Sequence, residues 1–123
     1  MRSPSPPNSD TRTMIFVVAP VSVNAMYRAV GRRVIMSARG REFKKDVCAQ
    51  IDGSVAMLVG AVDVSIIFSF DDGRRRDVDN FAKAILDCLK GVMFEDDSDI
   101  VSLYMIKRLW QKTNSIEVSV TRH

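Results

Sequence analysis

Only one histidine and two cysteines occur among the 123 residues of this chain. Cys48 and Cys88 fall in separate predicted helices, no Cys-x-x-Cys occurs, and His123 is the sole imidazole. These scarcities argue against a zinc site and against a disulfide framework, and they fit a reduced, cytoplasmic setting. Long apolar runs are missing as well. The longest, Met14 to Val23, is interrupted by Pro20 and falls well short of the ~20 residues that cross a bilayer. Nothing at the N-terminus resembles a signal peptide, and there is no internal repeat or coiled-coil heptad. The net charge of +3 is only mildly basic and says little about partners by itself. The length suits one domain that buries about two thirds of its unfolded surface.

What is present has a clear order. Met1 to Thr13 holds three prolines and three serines without apolar periodicity. It is expected to be a disordered tail, residues 1–13, before a domain at 14–123, with Met14 a candidate start. Met14 to Ala19 has the branched and aromatic content of a buried strand. Pro20 to Arg28 reads as a loop whose Ser22 and Asn24 make capping bonds. Between Arg28 and Asp46, seven basic residues face two acidic ones. That strip either contacts phosphates, with the salt dependence such contacts bring, or is a solvated helix face. Val34 to Met36 suggests a short strand.

The spacing of Phe43, Val47, Ile51, Val55 and Leu58 predicts a helix from Ser37 to about Leu58, with Gly53 and Ser54 marking a kink or an early end. Val62, Val64, Ile66, Phe68 and Phe70 alternate as in a half-buried strand. Val78, Phe81, Ala82, Ile85, Leu86 and Leu89 recur at three and four residues, predicting a second helix from Val78 to about Leu89, stopped at Gly91. Ile100 to Leu109 and Ser115 to Thr121 are β-rich, and a turn at 111–114 would make them a hairpin. Trp110 reads as an edge or interface aromatic, or as one that stacks on a base. The expected fold class is α+β: a mixed β-sheet with two principal helices and a C-terminal hairpin, whose spare apolar face suits a second subunit.

Charge is concentrated in one place. Nine of the fifteen acidic residues lie between Asp71 and Asp99, and Arg74, Arg75 and Arg76 abut Asp77 and Asp79 directly. Carboxylates this crowded repel unless a cation sits among them, and Mg²⁺ is held by one or two carboxylates together with substrate phosphate oxygens. The arginines would then face the phosphates. Asp77 and Asp79 sit at the predicted helix start, where Asp is a good cap. Lys83 and then Asp87 follow one turn apart, and Glu95, Asp96 and Asp97 can return to the same end of the sheet. An isolated Asp-x-Asp also occurs in phosphatases and glycosyltransferases, so the pair alone is weak.

The larger pattern is more specific. Arg76-Asp77-Val78-Asp79-Asn80, then Lys83, Asp87, Leu89, Gly91 and Glu95-Asp96-Asp97, closely resembles the RusA family of Holliday junction resolvases. Pro20, Ser22, Asn24, Tyr27 and Arg28 match that family's N-terminal stretch, and Ser37 and Gly40 fit as well. The resemblance implies a homodimer that cuts four-way DNA junctions with Mg²⁺. It implies Asp77, Asp79 and Asp97 as metal ligands, with Asp96 the alternative to Asp97, and Lys83 as the fourth catalytic residue. It also implies that Asn24, Tyr27, Arg28 and Asn80 join Arg74, Arg75 and Arg76 against the DNA. Rival readings are a nuclease for flaps or forks, a non-catalytic branched-DNA-binding protein, and a phosphatase built on Asp77 and Asp79.

Overall fold

The computed structural model describes residues 10–123. Most of the expected tail, residues 1–9, lies outside them. The fold is a small α+β domain built on a four-stranded mixed sheet. Strand β1 (Thr11–Phe16) begins three residues earlier than the sequence suggests, because Thr11, Arg12 and Thr13 pair in register with Thr121, Val120 and Ser119. A one-turn helix α1 (Val23–Met26) leads into a hairpin of β2 (Tyr27–Val30) and β3 (Arg33–Met36). Helix α2 (Ala38–Ala49) and strand β4 (Val62–Ser69) follow. A 3₁₀ turn at Val78–Phe81 runs into helix α3 (Ala82–Leu89). A second 3₁₀ turn, Asp97–Asp99, opens β5 (Ile100–Arg108), and β6 (Ser115–Arg122) ends the sheet.

The expected C-terminal hairpin does not form. Strand order is β1-β6-β4-β5, so β4 lies between β5, to which it is parallel, and β6, to which it is antiparallel. The segment joining β5 to β6 passes over the end of β4 instead of turning on itself. Trp110 N–H donates to Asp72 O, Gln111 N–H to Phe70 O, and Asp71 N–H to Asn114 Oδ1. Parallel neighbours need a crossover, and α3 supplies it between β4 and β5.

Alternation then decides which face is covered. Val62, Val64, Ile66 and Phe68 of β4 point to one side with Ile116, Val118 and Val120 of β6 and Met14 and Phe16 of β1, all buried. Phe43 and Val47 of α2 and Ala84, Ile85, Cys88 and Leu89 of α3 close over them. The core contains no buried charged residue among the described residues. No described helix is long and apolar enough to cross a membrane.

Helix α2 takes the early end. It stops at Ala49, and Gln50 turns its amide onto the main chain beyond β1, accepting from Val17 N–H at 2.7 Å and donating to Val17 O at 3.1 Å. Asp52 Oδ1 then accepts from the Ser54 N–H and hydroxyl, a local turn that competes with helix. Ile51, Val55 and Leu58 still pack inward, but from irregular chain that includes a turn.

Candidate active site

The N-terminal part of the site is assembled by capping bonds. Ser22 Oγ accepts from Ala25 N–H to start α1. Ser37 caps α2 by accepting from Gly40 N–H at 2.9 Å, and its hydroxyl reaches back to the carbonyls of Ala25 and Met26. One serine therefore ties the two helices together. Gly40 makes this approach feasible, since a Cβ there would lie 2.2 Å from Met26 O. Tyr27, directly after α1, is thereby held toward α3, where its hydroxyl donates to Asp87 Oδ2.

Asp87 is the centre of this arrangement, though the sequence suggested only that it lies a turn beyond Lys83. Besides Tyr27 it takes Lys83, whose Nζ stands 3.3 Å from its carboxylate. Burial, with the hydrogen bond to Asp87 next, pushes the Tyr27 phenol well above its ordinary pKa, so it stays a neutral donor. Asp79, Lys83, Asp87 and Asp97 line one open cleft of about 400 Å³ between α3 and the start of β5, floored by Ala82, Leu86, Ile100 and Leu103.

The two adjacent aspartates of the second acidic segment have different surroundings. Asp96 is engaged locally: it caps the 3₁₀ turn by accepting from the Ser98 N–H and hydroxyl, and it pairs with Lys90 at 2.8 Å. The Lys90 and Ser98 bonds hold its carboxyl far below the usual carboxylate range. Asp97 instead faces the cleft. Asp77 is exposed, and contrary to the cap expected of it, its side chain makes no capping bond. Neither Asp77 nor Glu95 is among the residues lining the cleft.

The three arginines divide two ways. Arg74 and Arg75 are exposed. Arg76 turns inward, making a forked pair with Asp72 at 2.6 and 3.1 Å while its guanidinium lies 4.1 Å from the centre of the Phe70 ring. That pairing, with the Arg74 N–H bond, lowers the Asp72 carboxyl to about 2. Arg76 thus fixes the loop that carries Asp77 and Asp79, and Lys107 Nζ pins the same loop by donating to Arg76 O at 2.7 Å. The expectation that Arg76 faces phosphate does not match this geometry, because its donors are turned to Asp72. Asn24, Tyr27 and Arg28 do come together, on the wall of a neighbouring cavity that shares Lys83 with the cleft. Asn80 is half-buried in the 3₁₀ turn. The seven basic residues from Arg28 to Lys45 are all exposed.

Sequence reasoning missed strand β2 and with it the β2–β3 hairpin, although a signal was present: Gly31-Arg32 is a two-residue connection and Gly31 adopts φ 61°. The donor set of the cleft is all oxygen, which suits a hard divalent cation. No group of three acidic or imidazole side chains close enough to enclose an ion occurs among the described residues. Mg²⁺ does not require one, since it keeps waters and takes substrate phosphate oxygens beside one or two carboxylates.

Residues 18–121 match the family described as Endodeoxyribonuclease RusA. Among curated proteins, the chain is 33% identical over 105 residues to the crossover junction endodeoxyribonuclease of Enterobacteria phage 82, covering 83% of this chain and 88% of that one. It is 32% identical over 108 residues to the enzyme of the same name from Escherichia coli K12, with the same coverage of 83% and 88%. It is 28% identical over 106 residues to that of Enterobacteria phage HK97, again at 83% and 88%. On the extent of these matches, this chain belongs to the RusA family of endodeoxyribonucleases.

Proposed function

We propose that this protein is a Mg²⁺-dependent endonuclease that resolves four-way DNA junctions as a homodimer, leaving paired nicks. The observation that carries the reading is the cleft in which Asp79 and Asp97, from segments on either side of α3, open beside Lys83 and Asp87. Membership of a family whose relatives are named for crossover junctions supplies the substrate class. Asp79 and Asp97 would hold the metal from the cleft, and Asp77, two residues before Asp79 in the chain, is the further ligand that the resemblance implies. Bound there, Mg²⁺ would screen phosphate charge and lower the pKa of a water.

The remaining steps belong to side chains of this chain. Lys83 offers a cation to the negative charge that develops on the scissile phosphate, the kind of contact whose loss costs about 10²–10³ in rate. Asp87 positions that ammonium, and Tyr27 holds Asp87 in place. Arg74 and Arg75, exposed on the loop that precedes Asp77, bind backbone phosphates. A second subunit fits along β5, the sheet edge on which Val101, Leu103 and Tyr104 are exposed. Because Leu103 also lines the cleft, a partner seated there would adjoin the catalytic residues.

The test is cleavage of a labelled four-way junction beside linear duplex, flap and fork, with and without Mg²⁺, for wild type and Asp79→Asn. Symmetric nicks confined to the junction and to Mg²⁺, with a variant that binds but does not cut, are the expected result. Binding without nicks by both proteins would leave a junction-binding protein, a reading favoured by the spread of the carboxylates. Light scattering of wild type and Tyr104→Lys tests the dimer, which the substitution should shift toward monomer.

A further inference from the structure

A second cavity, of about 460 Å³, shares Lys83 with the carboxylate cleft. Val23 of α1, Ala29 of β2 and Val34 of β3 give it apolar walls, and Asn24, Tyr27, Arg28 and Lys83 complete it. Its size falls within the range of small-molecule sites, and so does its make-up of apolar walls with a few convergent polar groups. The polar groups are of two kinds. Arg28 and Lys83 are cations on exposed positions, suited to the phosphates on either side of one nucleotide. The Asn24 amide carries both a donor and an acceptor, as the edge of a nucleobase does. Tyr27 is fixed by Asp87, so its ring is a rigid wall and not a mobile one.

We infer that this cavity receives one unstacked nucleobase of the strand being cut, adjacent to the scissile phosphate, with Val23, Val34 and Tyr27 against the base and Arg28 and Lys83 against its phosphates. The inference rests on the nuclease reading and deepens it by naming a base-recognition subsite. Lys83 stands in both compartments, so a seated base fixes its own phosphate in front of Asp79 and Asp97. Sequence preference at the nick would then follow from which base edge satisfies Asn24. Bases at a branch point are already partly unpaired, which reduces the cost of extrusion.

The experiment uses four-way junctions carrying the fluorescent base 2-aminopurine in turn at each nucleotide near the branch point. They are bound to the full chain in EDTA at concentrations that saturate the junction by anisotropy. Wild type should raise the fluorescence about fivefold or more at one strand position and its symmetry mate. Val34→Trp fills the cavity from a position that is 73% exposed in the free chain, so the core is untouched; it should abolish the rise. Asn24→Ala, which removes the base-edge contact, should reduce it and decides the matter if Val34→Trp binds poorly. No rise at any position, or an equal rise with Val34→Trp, overturns the inference. Nicking of the same junctions in Mg²⁺, measured in parallel, separates the two readings. Nicks without an unstacked base remove only the subsite, whereas an unstacked base without nicks leaves the subsite and removes the nuclease.

Discussion

Replacing Gly40 by alanine sets two effects against each other, and the geometry says which wins. In an exposed helix, Gly→Ala stabilises by ~1 kcal/mol, because alanine loses less backbone freedom. Gly40 is buried in the first turn of α2, and a Cβ there would fall 2.2 Å from Met26 O and 2.9 Å from Met36 Cγ. The methionine side chain can swing away, but the carbonyl is main chain and also accepts from Ser37 N–H at 2.9 Å. Overpacking of this kind costs ~1–3 kcal/mol, more where the neighbour is backbone. The net expectation is a loss of ~1–2 kcal/mol, or a fall of ~3–10 °C in Tm for a domain of this size. Gly53→Ala is the control, since no heavy atom lies within 4 Å of its added methyl, and it should be neutral or slightly stabilising. Urea and thermal unfolding followed by circular dichroism measure both. A Gly40→Ala protein as stable as wild type would show that α1 and α2 do not meet as described, and the placement of Tyr27 against Asp87 would fall with it.

Among the acidic residues, Asp97→Asn should reduce junction cleavage by ~10²-fold or more, the size seen when a catalytic charge contact is lost. Asp96→Asn, which disturbs only the Lys90 and Ser98 contacts, should stay within about tenfold of wild type on the same scale; equal losses in a gel cleavage assay would refute the assignment of Asp97 to the cleft. Stability should also depend on acid through Asp72. Its carboxyl is lowered to about 2 in the fold by Arg76, so its contribution is fully present above the ordinary carboxylate value near 4 and is lost as pH falls from there toward 2. Asp72→Asn should flatten the unfolding midpoint measured across that window. Finally, Cys48 is exposed while Cys88 is buried with its thiol pushed up to about 11 by desolvation. Native protein should therefore react with a disulfide reagent at Cys48 alone, and denatured protein at both, as read by peptide mass spectrometry.

Local pattern made much of the fold legible, and long-range pairing did not. The alternation of β4 and the three-and-four spacing of α3 can each be read because a single element fixes which side its residues face. Sheet order depends instead on what the ends of elements bond to. The turn residues Gln111 to Asn114 carry the composition of a hairpin, yet Gln111 and Asn114 spend their bonds on Phe70 and Asp71. The run from Val62 through α3 to Arg108 is a strand, helix, strand unit, and that regularity was a signal for a parallel neighbour. At the candidate site, spacing and resemblance together made legible that Asp79, Lys83 and Asp97 share one cleft. Arg76 was not, since nothing in a row of three arginines says which one finds a ring and a carboxylate behind it. Asp87 was underrated because its importance comes from Tyr27, distant in sequence and brought near only by the Ser37 tie.

The central place of β4 has a consequence for synthesis of the chain. Its segment Val62-Asp63-Val64-Ser65-Ile66-Ile67-Phe68-Ser69 carries one charge, and both strands that flank it are translated later. While the ribosome completes the remainder, β4 has neither edge protected, and such β-prone, weakly charged stretches are the ones that self-associate. Closure must await β6, which follows β4 and β5 in the chain, because β6 both seals β4 and recruits β1. Nascent chains halted before Ser115 should therefore remain protease-sensitive and chaperone-bound, and release of β6 should convert them to the native domain in a single step.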